Sequence, residues 1–226
     1  LERGADPNAG VDSSGSCLTI VEFNHGKKGR QMQTLLREHG AVTPPYAMDD
    51  AALERAMREG DAVVAHSQFL HELMGRDNPA LIGVFLEITP DVGDLFQLTD
   101  IWGGNYPSDP DTIRTLADHG LSLHRANWIG RTFLHGCAEK GDVAAARVFL
   151  ELGADIEAVE LEYGGTPLAA AARKGQAEMV RFLLEQGADP AAPAESRWAQ
   201  PLYWAEKKGH GEVAALLKGG KGASGG

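Results

Sequence analysis

The chain has 226 residues, 43% of them apolar and 23% charged, with a formal net charge of −11 at pH 7. That composition excludes general disorder, and no apolar run approaches the roughly 18 residues of a membrane span. The negative charge opposes general binding to nucleic acid or anionic membranes, while leaving room for a local basic patch. Cys17 and Cys137 are too few for a disulfide framework, so a reducing compartment, the cytoplasm, is expected.

Taken in chain order, the first signal is Gly4-Ala5-Asp6, a tripeptide that returns at 153–155 and 187–189. Leu1 to Asn8 reads as the end of a repeat (approximately 1–9), so more chain is expected upstream of Leu1. A full unit follows at 12–43, in which Lys27-Lys28-Gly29 is expected to end a first helix, and then a shortened one at 48–66. Residues 67–92 form a diverged unit. There Phe69-Leu70-His71 echoes Phe133-Leu134-His135, and Leu70 to Leu86 has the same spacing as Leu168 to Leu184. The unit at 94–125 carries a long loop at Gly103-Gly104-Asn105-Tyr106-Pro107.

The last three units, 127–158, 161–192 and 196–218, share one register. Leu134, Leu168 and Leu202 recur at one constant interval (168 − 134, 202 − 168), and Gly141, Gly175 and Gly209 keep the same interval. Self-similarity at such a period is the signature of a stacked repeat. Within a unit, Thr166 suits an N-cap, Pro167 the first helical position, and the alanines at 169–172 a helix that neighbours can approach closely. Gly175 can end that helix in the left-handed conformation. Met179, Val180, Leu183 and Leu184 give the second helix an apolar stripe, and Gly187 ends it. Gly164-Gly165 mark the turn of a β-hairpin finger. The Gly-rich stretch 219–226 reads as a flexible tail, the rest as one domain over 1–218.

These residues resemble the ankyrin repeat. Thr166-Pro167-Leu168 with Ala171-Ala172, Thr132 with Leu134-His135, Gly209-His210, and the Gly-Ala-Asp tripeptides all match its pattern. The resemblance implies an all-α solenoid of stacked helix-turn-helix repeats with short β-hairpin or loop fingers. Its function would be that of a scaffold or adaptor binding a protein or peptide through fingers and a concave groove. An ankyrin segment that regulates or targets a larger enzyme is the alternative. Carried over residue by residue, the finger positions are Trp128, Ile129 and Arg131, then Glu162 and Tyr163, then Arg197 and Trp198. Each ring could anchor a partner or cover the neighbouring finger. Lys140, Arg173, Lys174, Lys207 and Lys208 close the first helices, where cations also complement the helix dipole. Together they would form a basic strip suited to an acidic partner, on a chain expected to be monomeric.

Sites for chemistry are weak. Cys137 and His135 sit at i and i+2 of one helix, roughly 200° apart, which reads as a packing thiol and not a nucleophile–base pair. His71-Glu72 opens like a zinc-protease motif, but Gly75 stands where the second histidine is needed. Neither catalysis, nor a cofactor, nor a metal, nor a small-molecule substrate is expected.

Overall fold

In the computed structural model of the chain, the residues described are 27–41, 48–59, 73–76, 78–89, 106–122, 126–127 and 129–219. Their regular structure is all helical, with no strand among the described residues. The chain divides into two compact units, Leu1–Glu72 and Leu73–Gly226. The N-terminal partial repeat, Cys17, His71-Glu72, the loop glycines 103 and 104, and the stretch beyond Gly219 lie outside the described residues.

The first unit contains α1 (Lys27–Glu38) and α2 (Asp50–Glu59). Lys27-Lys28-Gly29 does not end a helix, contrary to the sequence expectation. It begins α1, and Gly29 is buried within the helix. The physical difference lies in the backbone: Gly141, Gly175 and Gly209 take a positive φ and end their helices, whereas Gly29 has no positive φ and stays inside the helix. In α2, Asp49 caps the start by accepting from the Ala52 N–H at 2.8 Å, and Leu53 and Met57, one turn apart, are buried.

In the second unit, residues 73–76 are helical, and α3 (Pro79–Ile88) then starts at the Asn78 cap with Pro79 in its first turn. Leu81, Ile82, Val84, Phe85 and Leu86 are all buried, as befits a helix that is apolar nearly all round. Then α4 (Pro110–Asp118) begins at Asp109, whose carboxylate accepts from Thr112 N–H at 2.8 Å.

Three helix pairs complete this unit: α5 (Phe133–Lys140) with α6 (Val143–Glu151), α7 (Pro167–Lys174) with α8 (Ala177–Glu185), and α9 (Pro201–Lys208) with α10 (Gly211–Gly219). Gly141, Gly175 and Gly209 close the first helices at the same left-handed φ of 77°. The second helices end alike too. The N–H of Leu121, Ala154 and Ala188 reaches back to the carbonyl of Leu116, Phe149 and Leu183, across a glycine of positive φ. In the first unit, α1 closes the same way through Ala41 and Leu36.

The first helices pack in succession, α5 on α7 and α7 on α9, while α4, α6, α8 and α10 form a second row behind them. This is the all-α stack of helix pairs that the sequence implies. Cys137, Ala171 and Ala205 occupy one register position in successive repeats, and all are fully buried. Small side chains there let the first helices approach. Phe133 stacks on Phe149 at 5.4 Å, and Tyr106 meets Phe149 edge-on. In α8 the buried face is Met179, Val180, Phe182 and Leu183. Leu184, expected in that stripe, is half-buried, and Phe182 has its place, covered by the Arg147 guanidinium at 4.8 Å.

Candidate protein-binding surface

Where each finger meets its first helix, hydrogen bonds between repeats fix the geometry. His135 is fully buried. Its Nδ1 lies 3.2 Å from the Thr132 N–H, and its Nε2 lies 3.2 Å from the Gly165 carbonyl of the next finger. Only the neutral ring with its proton on Nε2 serves both, so the ring accepts from Thr132 and donates to Gly165. Burial holds its pKa down, to about 4 from 6.5. At the other end of the first helices, Gln176 donates to the Glu139 carbonyl, and His210 Nε2 meets the Arg173 carbonyl, each link joining one repeat to the next. Both Gly141 and Gly175 are needed there. A Cβ on either would lie 2.7 Å from the Gln176 or His210 side chain.

The fingers are turns, not β-hairpins: no strand ladder forms among the described residues. Glu160, buried in the finger, accepts the N–H groups of Glu162 and Tyr163 at 2.8 and 2.9 Å, so its carboxylate shapes the tip from within. One backbone bond, Leu161 N–H to the Ile129 carbonyl at 2.6 Å, ties this finger to its neighbour.

Among the expected binding residues, two arginines are engaged inside the chain. Glu139 takes Arg131 at 2.5 Å and also pairs with Arg173, all three side chains being largely buried. Burial alone would raise the Glu139 pKa, but the Arg131 hydrogen bond and the charges of Arg131, Arg173 and Lys174 outweigh it and hold the carboxyl below its usual range. Arg173 also stacks on the Tyr163 ring at 3.8 Å, and Tyr163 meets Trp204 edge-on at 5.5 Å. Tyr163 is thus half-buried against the next repeat, covering its neighbour. Trp128 lies outside the described residues.

Others face solvent. Lys140, Lys174, Lys207 and Lys208 are exposed at the ends of α5, α7 and α9, and none forms an ion pair among the described residues. Lys140 rests over the Tyr106 ring at 4.6 Å, and Lys207 lies between the Tyr203 and Trp204 rings. Glu162 and Arg197 are exposed, and Ile129 is half-buried. Trp198 is 51% exposed, with the far edge of its ring beside Gly164 of the preceding finger.

Sequence reasoning passed over Val159 and Leu161, which are 43% and 71% exposed. Their signal was present: apolar residues at 159, 161 and 163 alternate with glutamates in a segment that is otherwise a polar connection.

For chemistry the surroundings are unsuited. His135 has both nitrogens occupied by Thr132 and Gly165, and burial, with Asp142 nearby, keeps the Cys137 thiol well above its usual pKa. No group of three or more metal-ligating side chains occurs among the described residues. Among them too, no helix is long and apolar enough to cross a membrane.

Residues 134–184 match the family model for ankyrin repeats in many copies. The crystal structure of the human ASB11 ankyrin repeat domain is similar at 30% identity with a TM-score of 0.46, covering 52% of this chain and 51% of that one. This chain therefore spans about half the length of that domain. No curated protein matches it. Residues 134–184 are thus similar to ankyrin repeats, which are in general protein-interaction modules.

Proposed function

We propose that this chain is a scaffold or adaptor that binds a protein or peptide partner through its fingers and the solvent-facing ends of its first helices. One observation carries the reading. Leu161 and Trp198, at 71% and 51% exposure, stand on adjacent fingers together with Val159, where large apolar side chains gain nothing from facing water. Exposed tryptophan and aliphatic residues above a rigid stack are the anchors that most often carry interface energy. Ile129, Glu162, Tyr163 and Arg197 border them, and Lys140, Lys174, Lys207 and Lys208 supply positive charge for an acidic segment. Arg131 and Arg173 act from behind, by holding Glu139 and Tyr163 in place. No catalytic step is assigned to the chain, and a monomer acting in the cytoplasm fits this reading.

The test is affinity capture with the intact chain, compared with Leu161→Ser and Trp198→Ala. Each variant should keep the parent melting temperature and lose the specific partner, with Trp198→Ala costing about 2 kcal/mol of binding. Undiminished capture by both would place the binding surface elsewhere.

A further inference from the structure

The lysines that end successive first helices set a ruler. Lys140, Lys174 and Lys208 are the last residues of α5, α7 and α9, one repeat period apart (174 − 140, 208 − 174), and all three are exposed. Their helices pack directly on one another, α5 on α7 and α7 on α9. Packed helix axes lie about 8–10 Å apart, and a polyproline II segment advances about 3.1 Å per residue with three residues per turn. One turn of such a segment therefore covers one repeat and brings every third side chain back to the same face. The neighbouring register position carries no comparable row, since Glu139 and Arg173 neutralise each other and Lys207 lies against two rings.

We infer that the partner segment is an acidic peptide in the polyproline II conformation with carboxylates at every third position, i, i+3 and i+6, each meeting one of Lys140, Lys174 and Lys208. This rests on the peptide-binding reading above and adds the partner's spacing. Charge alone would attract any acidic chain, whereas the one-repeat interval selects a register.

The experiment pans a random displayed peptide library against the full chain, with Trp198→Ala and Lys174→Glu, Lys208→Glu chains as parallel baits. Labelled synthetic peptides then report affinity by fluorescence anisotropy. Selected sequences should carry acidic residues three apart. A peptide with three glutamates so spaced should bind about five- to tenfold tighter than one of identical composition with the glutamates adjacent, the worth of two exposed ion pairs. The double lysine variant should abolish that preference while melting as the parent does. Equal affinity of spaced and adjacent peptides would overturn the register. So would a single-stranded DNA of equal charge binding as tightly as the spaced peptide. If selected peptides depend on Trp198 yet show no acidic spacing, the inference fails and protein binding stands. If no peptide is selected at all, the inference fails, and affinity capture with the intact chain decides whether a folded protein is bound instead.

Discussion

His135 shows how one buried side chain sets a pH dependence. It is neutral in the folded chain because burial disfavours its charged form, and both nitrogens already serve neutral partners. Its folded pKa, about 4, lies below the unfolded value of 6.5, so the unfolded chain binds the extra proton first as pH falls. The stabilisation is thus complete above 6.5 and is lost progressively as pH falls toward 4. Urea unfolding should show stability lower at pH 5 than at pH 7 by about 2 kcal/mol from this residue alone. His135→Gln should be less stable at pH 7 and should lose most of that slope. A slope unchanged by the substitution would assign it to other groups. Glu139 acts at the acid end: its depressed pKa gives stability that is present above 4.5 and lost as pH falls through its folded value. What the sequence held back at this scale was pairing. Glu139 and Arg173 occupy the same register position in adjacent repeats, so opposite charges there were readable as partners. The Arg131 and Tyr163 contacts depend on how a finger lies over the next repeat, which no local pattern records.

At the scale of the element, each first helix of the three C-terminal repeats begins at a β-region cap and ends at a left-handed glycine. Those local choices are why these repeats were legible from their residues. Thr166, Pro167 and Gly175 each act within one turn, and the structure places them at the cap, the first turn and the left-handed end. Gly29 misled because it keeps helical backbone inside α1, where Gly141, Gly175 and Gly209 turn left-handed. The fingers misled differently: Gly164-Gly165 do mark a turn, but Glu160 satisfies the tip's N–H groups with a side chain and no ladder is needed. Gly175 and Gly209 separate two costs of adding a methyl group. Both have φ of 77°, but a Cβ at 175 would lie 2.7 Å from the His210 ring, whereas at 209 nothing stands within 4 Å. Gly209→Ala should therefore cost about 1 kcal/mol of backbone strain. Gly175→Ala should cost about 2 kcal/mol, since His210 must also give up its bond to Arg173. Equal melting shifts for the two variants would show that the His210 contact contributes little.

For the molecule as a whole, stability and function divide between the two rows of helices in the second unit. α4, α6, α8 and α10 form the rear row, where Arg114–Glu151 and Arg181–Glu212 are exposed pairs worth little each. The first helices and fingers carry the more buried inter-repeat bonds, the exposed lysines and the exposed apolar side chains. The sequence revealed the stack through its period, and it revealed the lysine row through the same period. It did not reveal which cations were already engaged, because that depends on distances between side chains a full repeat apart. The claim that the partner lies on fingers and first-helix ends is tested most directly by hydrogen exchange of the intact chain with and without its captured partner. The account predicts slowed exchange at 159–165 and 196–199 and at the ends of α5, α7 and α9, with α6, α8 and α10 unchanged. Protection confined to α6, α8 and α10 would contradict it.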